Sequence, residues 1–164
     1  MPTIELSTEI NADIEICFDL SRSIDLHIIS TAKTNEKAIE GKTTGLIGLD
    51  EFVTWEAVHF GIKQNLTSKI TAFKRPVYFR DEQLNGPFKF FKHDHYFEKH
   101  NDKVIVKDVF NFQSPFGLAG RIFDKLVLKN YLKKLLIKRN EVIKNYAETD
   151  KWKSLPGDGE KLHL

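Results

Sequence analysis

His93-Asp94-His95, with Asp81 twelve residues before it and Asp108 thirteen after it, is the part of this 164-residue chain whose residue types could do chemistry. If the segment is extended, His93 and His95 point to one face, because side chains on a strand repeat every two residues. Histidine titrates near neutral pH, and a carboxylate beside it can hold its proton, which suits acid–base work contributing about 10²–10⁴-fold in rate. The same pair could chelate zinc, iron or copper, with His59 or Asp108 as third ligand. Glu98 falls on the opposite strand face from His95, so the run does not complete a ligand set, and the expectation is no metal and no cofactor. A third use is to orient the oxygenated end of a bound molecule.

Other chemistries lack their residues. There is no G-x-S-x-G elbow, and the glycines at 41, 45 and 48 match neither a phosphate loop nor a dinucleotide fingerprint. Cys17 is the lone cysteine, so no disulfide framework exists; nothing near it in sequence would lower its pKa, and it reads as a buried, inert thiol.

The elements that must position these residues follow from periodicity. Thr3–Ile10 alternates as a first strand; Asn11 or Asp13 can cap a helix that buries Ile14 and Phe18, and Ser23–Ser30 reads as a second short helix. Six further strands are predicted at Glu36–Glu40, Asp50–Val58, Asn65–Phe73, Val77–Leu84, Lys89–Lys99 and Lys103–Phe112. Turn residues such as His59-Phe60-Gly61, Asn85-Gly86-Pro87 and His100-Asn101-Asp102 separate them. Ser114–Ala147, with Ser114 as N-cap and Pro115 in the first turn, reads as the one long helix. About seven strands followed by a helix predict an α+β fold, with a curved antiparallel sheet wrapped around that helix and two short helices after the first strand.

Parity then gives the inner rows. On the last three strands Phe79, Asp81, Gln83, Phe91, His93, His95, Phe97, Asp108, Phe110 and Phe112 share the apolar side. Burying unpaired charge costs several kcal/mol, so these polar groups are paired together, hydrated in a cavity, or both. A cavity lined by Trp55, Phe79, Phe91, Phe97, Phe110 and Phe112 with a few convergent polar groups has the chemistry of a small-molecule site. A structural network of His–Asp pairs is the other reading.

The long helix carries two apolar stripes. Leu118, Ala119, Ile122, Phe123, Leu126 and Val127 form one; Leu128, Tyr131, Leu132, Leu135, Leu136, Val142, Ile143 and Tyr146 form another, rotated by over a quarter turn. One straight helix does not bury both, so a kink or short leading helix is predicted before about Leu128. The second stripe should be gripped by the sheet. The first should lie by the cavity mouth and could gate it.

Composition bounds the rest. Hydrophobic residues at 41% and charged residues at 29% describe a globular chain. The absence of an apolar run of about 18 residues and of a secretory leader predicts a soluble, cytoplasmic protein. One domain over residues 1–148 is expected, with 149–164 as a C-terminal tail in which Trp152 and Leu155 either pack back or stay mobile. The net charge is +2, yet Arg121–Lys144 holds eight basic residues against Asp124 and Glu141. A solvated helix face is the favoured reading of that run, so nucleic acid is not expected and membrane contact is disfavoured.

The segments DLH at 25–27, TWEAVHFG at 54–61, FRDEQ at 79–83, GPFKFFKHDHYFE at 86–98 and DVFNFQSPFG at 108–117, together with the closing helix, resemble the START-like, or SRPBCC, superfamily. More closely they resemble its bacterial ligand-binding branch, sometimes labelled cell division inhibitor. The resemblance covers residues 3–148 and implies a helix-grip fold enclosing a cavity. Wider relatives bind lipids, sterols, hormones, polyketides or quinones, and a few are cyclases. Carried over by position, the branch's polar residues are His27, Glu36, Trp55, His59, Asp81, His93, His95 and Asp108. The candidate ligand-binding set is thus Trp55, His59, Phe79, Asp81, Gln83, Phe91, His93, His95, Asp108 and Phe110, with no catalyst assigned. The expected partner is a small hydrophobic or amphipathic molecule. An acid–base cyclase, dehydratase or isomerase and a regulatory interaction protein remain as alternatives.

Overall fold

Successive alternating segments pair as hairpins in the computed structural model, which describes residues 1–157. Strand β1 (Thr3–Ile10) is followed by helices α1 (Ile14–Ser21) and α2 (Ile24–Ser30). Then come β2 (Lys37–Gly41), β3 (Phe52–His59), β4 (Ile62–Lys74), β5 (Tyr78–Asn85), β6 (Phe90–His100) and β7 (Lys103–Gln113). All neighbours are antiparallel in the order β1-β7-β6-β5-β4-β3-β2, so the first strand closes against the last. Register shifts at Ala38/Glu40, Thr67/Ser68 and Ile70/Ala72 add the bulges that bend such a sheet. The β3–β4 strands run further than their sequence pattern suggests because the turn is only Phe60-Gly61, both at positive φ (53° and 73°), with His59 and Ile62 paired across it.

The sheet curves around α3 (Gly117–Phe123), a wide π turn (Asp124–Leu128) and α4 (Lys129–Ala147). The expected break before Leu128 is thus a π turn, which shifts the buried face without ending the helix. Ser114 is not the cap. Its backbone N–H donates to Asp124 Oδ2 at 3.0 Å, and the chain turns through Phe116 at φ +75° before the helix begins.

Phe18 of α1 centres the main core, meeting Phe73, Phe79 and Phe97 edge-on at 5.3, 5.4 and 5.1 Å. Burying each such side chain contributes about 1.5–3 kcal/mol. Ile143 and Ala147 of α4 join this core, as does Leu155, with Trp152 packed beside it. Of the Pro156-Gly157-Asp158-Gly159 stretch, the last two residues lie outside the described part. Cys17 is fully buried, and burial pushes its thiol up to about 12.

Gly120 is where α3 crosses the preceding loop. A Cβ there would lie 2.0 Å from the Pro115 carbonyl oxygen. Gly120→Ala is therefore expected to cost about 1–3 kcal/mol, read as a lower urea midpoint with unchanged slope; an unchanged midpoint would contradict this packing.

Candidate ligand-binding cavity and its buried polar cluster

The inner rows of β3–β7 do not close fully on the helix. Between them lies a cavity of about 860 Å³, bounded by sheet residues such as Trp55, Phe79, Phe91 and Phe110 and by Leu132 and Leu136 of α4. Ala119, Gly120 and Phe123 of α3 form part of its wall.

Eight of the ten candidate residues line this space: Trp55, His59, Phe79, Asp81, Phe91, His93, His95 and Phe110. Gln83 and Asp108 do not. Gln83 clamps the β5–β6 turn, donating to the Phe88 carbonyl at 2.7 Å and accepting from its N–H at 3.2 Å. Asp108 shares the inner face but sits behind the histidines, 0% exposed, where parity fixes the face and not the depth. Phe97 and Phe112 pack into the core.

Strand pairing builds the polar cluster. Asp81 lies opposite His93, and His95 opposite Asp108. His93 Nε2–H donates to Asp108 Oδ1 at 2.9 Å, and His95 Nε2–H donates to Asp81 Oδ2 at 2.9 Å. His95 Nδ1 lies 3.0 Å from Asp108 Oδ1, at an oblique angle. The His95 ring also stacks on Phe79 at 4.1 Å.

Two residues of α4 complete the cluster, and the sequence pattern assigned neither. Asn140 Nδ2–H donates to Asp108 Oδ2 at 2.7 Å, while Arg139 donates to the Ser21 carbonyl at 2.7 Å and brings Nη1 to 3.8 Å from Asp108 Oδ1. The signal for Arg139 was its spacing: Leu132, Leu136, Arg139 and Ile143 recur every three or four residues, so a cation stands on the apolar stripe.

Burial would raise both carboxyls. For Asp108 the hydrogen bond from His93 and the closeness of the His95 imidazole outweigh it and hold the group well below the ordinary range. For Asp81 the His95 hydrogen bond and the neighbouring imidazoles bring it below its ordinary value. Burial would lower both imidazoles. In His95 the nearby Asp108 carboxylate and the bond to Asp81 reverse this and raise it; in His93 burial and the adjacent His95 prevail and lower it. These directions favour two carboxylates, a protonated His95 and a neutral His93 beside the Arg139 guanidinium. The buried charges balance, as such a cluster requires. His93 Nδ1 then has no hydrogen-bond partner among the described residues; Asp81 Oδ2 is 3.9 Å away.

These shifts set a pH dependence. Lowered His93 favours folding while neutral, so its contribution is lost as pH falls below the ordinary histidine value of about 6.5 toward its folded value. Asp81 and Asp108 lose theirs further down, below about pH 4. Raised His95 works oppositely, losing its contribution as pH rises through its folded value. The urea midpoint is expected to peak near neutrality and fall on both sides, the fall from about pH 6.5 to 5 shrinking in His93→Gln; a flat profile would contradict the assigned protonation states.

Asp81, His93 and His95 each offer one donor atom, all within 4.8 Å of one another. A metal ion there would have to displace the proton shared by His95 and Asp81. Of the two third ligands expected from the sequence, Asp108 lies against both histidines and His59 is elsewhere, its Nδ1 hydrogen-bonded to Tyr131 Oη at 2.8 Å. Burial lowers His59 and raises Tyr131. Nearby, His27 donates to Glu36 at 3.1 Å and packs on Trp55 at 4.2 Å, two contacts that join the residues singled out by the resemblance.

Comparison with known proteins finds the same architecture at low sequence identity. No family model and no curated protein matches the sequence. A solved Thermus thermophilus protein, TTHA0849, is similar at TM-score 0.69 and 16% identity over 89% of this chain and 99% of that one. The ginseng major latex-like protein 151 from Panax ginseng gives TM-score 0.66 and 13% identity over 90% and 98%. Protein CV1439 from Chromobacterium violaceum gives 0.67 and 12% over 92% and 100%. At these identities the likeness is one of fold.

Proposed function

We propose that this chain, which has the helix-grip fold of the START-like (SRPBCC) superfamily, binds one apolar or amphipathic small molecule of lipid, polyketide or aromatic type inside its sheet. The observation that carries this is the cavity itself. Its volume of about 860 Å³ is mostly apolar in lining and has a charge-balanced polar cluster on one wall. Apolar pockets of roughly 300–1,000 Å³ with few polar groups suit small organic ligands. The oxygenated end of the molecule meets His93 Nδ1, His95, Asp81 and Arg139; the remainder lies along Trp55, Phe91, Leu132 and Leu136. Titration with anilinonaphthalene sulfonate tests this. Saturable one-to-one binding, displaced by the solvent extract of purified protein, supports the proposal, and binding that never saturates opposes it.

His93 favours a second reading. With Nε2–H held by Asp108, its free Nδ1 is a base facing the cavity, suited to moving a proton on an apolar carbonyl compound. Under this reading wild-type protein changes the extracted ligand on incubation, and His93→Ala keeps the ligand but leaves it unconverted.

A further inference from the structure

The outer side of the α3 wall has a burial pattern opposite to that of a packed helix. From Gly117 to Leu128 the buried residues are Gly120, Asp124 and Leu128, whereas Leu118, Leu126 and Ile122 are 72%, 67% and 53% exposed and Phe116 is 83% exposed. A helix docked on its own core shows the reverse. Where this face meets the cavity rim, Phe60 of the β3–β4 turn is exposed, holds a positive φ that bulky residues rarely take, and brings its ring to 5.9 Å from Phe123, both residues also lining the cavity. Alongside run Arg121, Lys125 and Lys129, each three residues after Leu118, Ile122 and Leu126 in turn, a step of roughly 60° around a regular helix. None of the three has an ion-pair partner among the described residues.

We propose that this face docks on an anionic lipid bilayer. The exposed apolar side chains enter the boundary between headgroups and acyl chains, and Arg121, Lys125 and Lys129 meet lipid phosphates. Charge complementarity selects this occupant: an apolar line flanked by unpaired cations on one helix is the pattern of an interfacial helix. A second copy meeting this one through the same patch would bring the same cations and no exposed carboxylate, since Asp124, the one acidic residue from Gly117 to Lys129, is buried. The charge run alone, read from the sequence, favours a solvated face; the exposed leucines beside it are what the structure adds. Docking does not require an occupied cavity.

Flotation of the full chain with vesicles tests the proposal. It is expected to bind phosphatidylcholine vesicles containing phosphatidylglycerol, to bind pure phosphatidylcholine more weakly, and to lose affinity for the mixed vesicles as salt rises. Leu118→Ser/Leu126→Ser should weaken binding at least about tenfold. Arg121→Gln/Lys125→Gln should weaken it roughly tenfold or more on the anionic vesicles only. His93→Phe should leave vesicle binding unchanged, which separates this proposal from the cavity reading. No binding to the anionic vesicles, or equal binding by the double-serine variant, would overturn it. So would a concentration-dependent dimer abolished by the serine substitutions in the absence of vesicle binding.

Discussion

Asp108→Ala is expected to destabilise the chain by about 3–5 kcal/mol, the cost of breaking a buried ion pair from one side. Asp108 is 0% exposed and accepts from His93 and Asn140, with His95 and Arg139 as its cationic neighbours. Its removal strands those donors and leaves two positive charges facing only Asp81. With whole-domain stabilities of about 5–15 kcal/mol, a loss of this size moves the urea midpoint far and lowers the melting temperature by many degrees. Asp102→Ala in the exposed β6–β7 turn is the control and should stay within about 0.5 kcal/mol. If Asp108→Ala cost less than about 1 kcal/mol, the carboxylate would not be the anchor of the cluster.

His93→Phe is expected to reduce affinity for the extracted ligand by roughly ten- to a hundredfold, as loss of a strong hydrogen bond to an oxygenated group does. Phenylalanine keeps the ring volume between Phe110, 5.1 Å from the His93 ring, and His95, 3.8 Å from it, so the cavity shape survives while Nδ1 is lost. Titration of the wild type and the variant with recovered ligand reads the difference. Unchanged affinity with lost conversion would move the balance to the acid–base reading; unchanged affinity and no conversion in either protein would remove His93 from both.

Much of this cluster was legible in the sequence, and the reason is local regularity. β5, β6 and β7 pair without a register shift, so parity placed Asp81, His93 and His95 on one inner face correctly. Parity does not report depth, which is why Asp108 was taken as lining the cavity when it lies behind it. Gln83 shares the same face but is captured by the backbone of Phe88 in the turn that follows. Charge misled the reading of Arg139, counted with the basic face although its spacing fits the apolar stripe.

The helix shows the complementary limit. Two incompatible stripes were enough to predict a break before Leu128, and a π turn at Asp124–Leu128 supplies it. The apolar residues of the leading stripe were assigned to the cavity mouth; only Ala119 and Phe123 of that stripe face the cavity, and Leu118, Ile122 and Leu126 face outward. A pattern of hydrophobicity tells which residues share a face. What that face meets depends on Gly120, whose missing side chain lets Pro115 close against the helix on the other side.

Native mass spectrometry of the purified chain, before and after solvent extraction, tests the central claim most directly. One small molecule per chain, released by extraction, taken up again by wild type and held far less by His93→Phe, is the predicted result. A bare chain mass throughout, with no uptake from extracts of the producing cells, would contradict a ligand-binding cavity.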